Sequence, residues 1–205
     1  MIANHIHDAL AQVRKLQEFI LEKRLFRGYS GKARIASGFV AMAGAMVLDS
    51  ALVPSDPFLH LVGWGGVVAV GIAVNYGCLL YWWLFNPEVR GNPVMLKPAL
   101  DAVPALAVGG VLTVAIGIVQ AWDLLPGMWM CLYGLAQVAY RQSLPRGIYV
   151  VGIAYIVCGT TCLAWQFPFL NPWPMGVVFL SGELAGGAVL MTYKSKTEST
   201  NDTDI

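Results

Sequence analysis

The sequence predicts an all-α integral membrane protein: a bundle of six transmembrane helices preceded by an amphipathic cytosolic or interfacial helix. Three observations carry that reading. Of 205 residues, 57% are apolar and only 12% charged, well below the charged share of about 25% usual in soluble domains. The charges are confined to short segments between apolar runs long enough to cross a hydrocarbon core of about 30 Å. The Lys and Arg residues all fall on one alternating set of connections, which assigns the segments between them opposite directions. The chain therefore divides into a helix over 1–30, a membrane domain over 31–194 and a polar tail over 195–205, expected to be disordered.

In residues 1–30, Ile2, Ile6, Ala9, Val13, Leu16 and Ile20 recur in steps of four and three, the spacing of a helix with one apolar seam. Phe19, Leu21, Leu25 and Phe26 widen that face toward the membrane end, which suits a helix lying among lipid headgroups. Arg14, Lys15, Lys23, Arg24 and Arg27, followed by Lys32 and Arg34, are then expected to face anionic lipid. The same seam, over residues 1–27, is a place for a partner helix or a second copy to dock. No short apolar stretch with a small-residue cleavage site precedes it, so the first span is expected to insert the chain.

Six spans follow, at 35–53, 58–84, 98–121, 124–144, 147–165 and 174–193. The fourth is the weakest, because Gln137, Tyr140, Arg141 and Gln142 crowd its end, but charge supports it. With six spans all 13 Lys and Arg lie on one side, while the opposite connections carry Asp56 and Asp123 and no basic residue. Dropping the fourth span would send Arg141, Arg146 and the tail lysines across. Both termini are thus expected in the cytoplasm of a protein of the cell membrane, with the lipid bilayer as its surroundings. Trp64, Trp122, Trp129, Trp165 and Trp173 fall near outer ends and Trp82 and Trp83 near an inner end, as interfacial anchors would.

Small residues every fourth position predict close helix packing. The ladders are Ala33, Ser37, Ala41 and Ala45; Gly65, Ala69, Ala73 and Gly77; Ala105, Gly109, Thr113, Gly117 and Ala121; and Gly182 with Gly186. A weak 3+3 inverted repeat is suggested by Asn86-Pro87 after the second span and Asn171-Pro172 after the fifth.

One acid lies at mid-depth. Glu183 sits at the centre of the sixth apolar run, where a carboxylate costs roughly 2.5–3.5 kcal/mol to insert and must face protein. Asn75 and Gln137, with Tyr140 nearer the cytoplasm, form the intramembrane polar site expected around it, and Tyr76, Tyr133 or Thr160 could also reach it. Glu183 reads either as a protonation site or solute ligand, or as a carboxyl that joins helices by a hydrogen bond. A second candidate cluster, Asp101 with Lys97 and Arg141, lies at the cytoplasmic edge, and Asp49 and His60 are placed to pair near the outer end.

Several chemistries find no support. His60 is the only histidine near a span, so bis-histidine haem ligation fails, and Ser181 has no histidine base in a later span. Cys78, Cys131, Cys158 and Cys162 fall inside apolar runs with no CxxC, the pattern of small buried residues and not of disulfides or zinc. No phosphate loop or nucleic-acid motif occurs. The expectation is a protein with no cofactor, no metal, no catalytic residues and no nucleic-acid partner: a membrane subunit or scaffold first, a proton-linked carrier using Glu183 second, and an enzyme acting on lipid or quinone at the Asp101 edge third.

Overall fold

In the computed structural model, residues 30–87, 103–139 and 144–203 are described, with side chains to 195, together with positions 10, 12, 13 and 100. Residues 1–9, 11, 14–29, 88–99, 101–102, 140–143 and 204–205 lie outside them. The helices with bounds among the described residues are α1 Gly31–Leu48, α2 Pro57–Phe85, α3 Val103–Ile118, α4 Leu125–Ala139, α5 Arg146–Trp165 and α6 Trp173–Thr203, with a 3₁₀ turn at Trp122–Leu124 before α4. No strand occurs among the described residues. Four helical stretches are long and apolar enough to cross a membrane, Gly31–Leu48, Pro57–Phe85, Arg146–Trp165 and Trp173–Ser195, and Val103–Ile118 is a shorter apolar helix.

The helix ends follow local chemistry. Ser30 caps α1 by accepting from Ala33 N at 3.3 Å, and Asp56 caps α2 by accepting from Leu59 N at 2.9 Å with Pro57 in the first turn. Asn86, held extended by the following Pro87, stops α2. Left-handed Gln166 closes α5. The last helix continues to Thr203, through the segment whose composition suggested a disordered tail.

Three connections meet at one end of the bundle. Asp49 Oδ2 accepts from Trp173 Nε1 at 2.9 Å, joining the α1–α2 turn to the start of α6. Asp123 Oδ1 accepts from Phe169 N at 2.7 Å, joining the α3–α4 turn to the α5–α6 turn, and Trp122 stacks on Phe169. Successive helices therefore run in opposite directions, α4 included. Asp49 and His60 do not pair: His60 Nδ1 lies 3.1 Å from the Asp56 carbonyl, and Asp49 is engaged by Trp173.

Two tight interfaces organise the bundle. Along α1–α6, Gly31 and Gly187 meet so closely that a Cβ on Gly31 would lie 2.6 Å from the Gly187 carbonyl oxygen, and Ala33, Ala41 and Ala45 are buried. Along α4–α5, a Cβ on Gly134 would lie 2.6 Å from the Gly152 carbonyl oxygen, and Gly127 faces Gly159 in the same way. Such approach replaces side-chain volume with backbone dispersion contacts. α5 also packs on α6, α2 on α1 and α3 on α4. Among the described residues α2 and α3 share no such interface with each other.

The ladder reading needs correcting on α2. Gly65, Ala69, Ala73 and Gly77 are exposed, and a Cβ on Gly65 or Gly77 would meet nothing within 4 Å. The stripe that packs α2 on α1 is a different one, with Gly44 against Val67 and Gly63 against Leu48. Trp64 and Trp129 also depart from the interfacial role. Trp64 is buried, and Trp129 lies over Gly109 and donates from Nε1 to Thr113 Oγ1 at 3.0 Å. Among the cysteines Cys162 is buried, Cys131 and Cys158 are half-buried and Cys78 is exposed.

Candidate functional site

Glu183 projects from α6 into the middle of the helix ring and is only 3% exposed. Arg34, in the first turn of α1, meets it with a two-pronged contact: Nε donates to Oε2 at 2.9 Å and Nη2 to Oε1 at 2.8 Å. Oε1 also accepts from the Tyr133 hydroxyl of α4 at 2.7 Å. The Tyr155 hydroxyl of α5 lies 3.2 Å from Oε1 and 3.3 Å from the Phe179 carbonyl, so its hydrogen is shared between them. Both carboxylate oxygens are thus occupied by donors from three other helices, the acceptor role an ionised carboxylate fills.

Glycine makes this possible on α6. A Cβ on Gly186 would lie 2.8 Å from Arg34 Cζ, and one on Gly182 would overlap the Tyr155 hydroxyl. The Gly182–Gly186 spacing, expected to seat a helix backbone, instead clears room for the two side chains that flank Glu183. Tyr133, Tyr155 and Phe179 close the remaining side, with ring centroids 5.0–5.3 Å apart.

This corrects the view of Arg34 as a lipid-facing anchor. It is 7% exposed, and its guanidinium is sequestered by the acid. In sequence it stands immediately before the apolar run and looks like a flanking charge. Tyr155 was also unmarked, although it stands in register with Ile148, Val151, Gly159 and Cys162 on the buried face of α5. Thr160 turns away and bonds its own helix at Ile156 and Val157.

Beside the ion pair lies a cavity of about 440 Å³ bounded by α1, α2, α3, α4 and α6. Leu61, Val68, Ile72, Leu106 and Leu132 make most of its wall apolar, while Arg34, Tyr133 and Glu183 form part of one side. Asn75 and Gln137 both line it, but neither bonds Glu183. Asn75 Nδ2 donates to Ser37 Oγ at 2.7 Å and to the Gly71 carbonyl at 3.0 Å, fixing α2 against α1.

Gln137 is different. It is 3% exposed, and neither its Oε1 nor its Nε2 has a hydrogen-bond partner among the described residues. Trp64, also among the residues around the cavity, has an unpartnered buried Nε1–H as well. Leaving such a group unpaired costs about 1–3 kcal/mol by mutational measures. All three atoms are sealed within side-chain packing, with under 1 Å² of accessible surface each.

No known family model, curated protein or solved structure matches this chain. Tyr140, Lys97, Asp101 and Arg141 lie outside the described residues, as do Arg14, Lys15, Lys23, Arg24 and Arg27. Among the described residues no group of three His, Cys, Asp or Glu side chains is arranged to hold a metal ion.

Proposed function

We propose that this protein is a non-enzymatic multipass component of the cell membrane that holds a small, largely apolar molecule in the cavity between α1, α2, α3, α4 and α6, receiving it from the lipid through the side between α2 and α3. The observation that carries this reading is an apolar chamber of about 440 Å³ bounded by five helices, with Arg34, Tyr133 and Glu183 on one side of it. Its size is in the range of pockets that enclose drug-sized ligands. The lack of a shared interface between α2 and α3 among the described residues supports a lateral path, since an apolar molecule partitions into the bilayer before it meets the protein.

Six crossings with both termini in the cytoplasm complete the proposal. The connections at 49–56, 119–124 and 166–172 share one end and contain no Lys or Arg, which by the positive-inside rule makes it the outer end. The inverted 3+3 arrangement is supported by two matching pairs of neighbours, α1 beside α2 and α6 and α4 beside α5 and α3, while the contact of α5 with α6 has no counterpart between α2 and α3 among the described residues. A proton-carrying role for Glu183 fits less well, because Arg34 and two tyrosines already occupy its oxygens.

The test uses a brominated alkane, 1-bromodecane, as a quencher of tryptophan fluorescence in protein reconstituted into lipid nanodiscs. Trp64 and Trp129 line the cavity, so a saturable quenching component is expected. Gly110 also lines it with open space before it, and Gly110→Phe should fill the chamber and remove that component. Quenching that rises linearly with bromodecane and is equal in both proteins would reject the binding role.

A further inference from the structure

We infer that the mostly polar pocket between the α1–α2 connection and the start of α2 binds a primary ammonium group. Leu48, Asp49, Ser50, Ser55 and His60 are among its walls, and it shares no residue with the apolar chamber, which makes it a separate site. His60 decides what the pocket can hold. It is 2% exposed and its ring is fixed, edge-on to Phe169 with centroids 6.4 Å apart and with Nδ1 3.1 Å from the Asp56 carbonyl oxygen. A carbonyl only accepts, so Nδ1 carries the hydrogen and the neutral ring keeps a lone pair on Nε2. Nε2 has no hydrogen-bond partner among the described residues, yet it is not sealed as the Gln137 and Trp64 atoms are, and the little surface that His60 keeps opens on this pocket.

The neighbouring polar side chains are acceptors too. Asp49 gives Oδ2 to Trp173 Nε1 at 2.9 Å and keeps Oδ1 without a partner among the described residues. Ser50 commits its hydrogen to the Val47 carbonyl at 2.6 Å, which leaves its oxygen lone pairs. Of the polar side chains in the wall, only Ser55 has a hydrogen to give. Asp49 and His60 do not bond each other, so a donor with several hydrogens can stand between them. Three acceptors match the three N–H groups of a primary ammonium. A quaternary ammonium has the charge without the hydrogens, and a hydroxyl has one hydrogen without the charge.

The electrostatics of this end point the same way. Its connections carry Asp49, Asp56 and Asp123 and no Lys or Arg, and α1 ends at Leu48 with its partially negative C-terminus toward the pocket. An anion would find no basic side chain there. Because the pocket lies at the end of the bundle, the ammonium can come from a dissolved amine or from the headgroup of an ethanolamine lipid.

His60 itself reports occupancy. His5→Asn and His7→Asn leave it the only histidine of the chain, so nitrogen NMR of labelled histidine, on protein in phosphatidylcholine nanodiscs, shows a single imidazole. At about pH 8, where an ordinary imidazole is neutral, ethanolamine should shift the Nε2 resonance saturably as the lone pair accepts a hydrogen bond, while tetramethylammonium and ethylene glycol at the same concentrations leave it in place. Asp49→Asn, which keeps an oxygen for Trp173, should raise the half-saturating ethanolamine concentration at least about tenfold, and Ser50→Ala about threefold. Replacing part of the phosphatidylcholine with phosphatidylethanolamine, with no free amine, separates the sources: a shift there assigns the site to a lipid headgroup, and a shift with ethanolamine alone assigns it to a dissolved amine. No saturable shift from either source, an equal shift with tetramethylammonium or ethylene glycol, or half-saturation unchanged by both Asp49→Asn and Ser50→Ala would overturn the ammonium site.

Discussion

Breaking the Arg34–Glu183 pair should reveal a large energetic coupling between two residues 149 positions apart. Arg34→Met leaves the carboxylate of Glu183, 3% exposed, with tyrosyl hydroxyls as its only donors among the described residues. Stranding one member of a buried ion pair costs about 3–5 kcal/mol, and Glu183→Met should cost a similar amount by stranding the guanidinium. The double substitution removes both charges together with the carboxylate to which Tyr133 and Tyr155 donate, and Tyr155 retains the Phe179 carbonyl. An unsatisfied hydroxyl costs about 1–3 kcal/mol. The double variant should therefore be more stable than either single one, with a coupling energy of at least about 3 kcal/mol. Tyr133→Phe, which removes a hydrogen bond to a charged group, should cost about 1.5–3 kcal/mol in the unmodified protein and much less in the double variant. Equilibrium unfolding in mixed dodecylmaltoside and dodecyl sulfate micelles, followed by circular dichroism, supplies the four corners of the cycle. If the two single losses simply add in the double variant, within about 0.5 kcal/mol, the side chains are not paired in the folded state and the account of the site is wrong.

Two further outcomes follow from packing and charge. Gly186→Ala drives a methyl against the Arg34 guanidinium and should cost about 1–3 kcal/mol, whereas Gly77→Ala meets open space and should leave stability unchanged or raise it by about 0.5–1 kcal/mol; the same micelle titration separates them, and equal effects would contradict the observed faces of α6 and α2. In a cysteine-free background, Ser55→Cys should react with a membrane-impermeant maleimide applied outside intact cells, and Lys194→Cys only after permeabilisation; the reverse pattern would invert the proposed topology.

Much of the architecture was legible because it depends on properties that vary along the chain in one dimension. Run length and polarity marked six spans, of which four fall on helices long and apolar enough to cross a membrane and one on the shorter α3, and the caps at Ser30 and Asp56 and the breaks at Pro87 and Gln166 set where helices start and stop. Glu183 stood out for the same reason, as an acid inside an apolar run. Its partner did not. Arg34 follows other basic residues and precedes the apolar run, so its sequence neighbourhood is that of an anchor. Four-residue spacing likewise predicted that small residues would form stripes, but not whether a stripe would meet another backbone, as on α1, clear space for side chains, as on α6, or stay open, as on α2.

What the sequence by itself determined is the material and the direction of the elements: helices of membrane length, alternating in orientation, with one acid buried among them. What only the tertiary structure decided is which faces meet. Once α1 packs on α6, Arg34 turns from lipid toward Glu183, and a chamber bounded by five helices lies beside the pair. The physical reason is that a membrane helix gains little from burying one apolar face over another, since lipid is as apolar as leucine. Its rotation is set by close backbone contact and a few polar pairs, and both depend on neighbours far away in the chain.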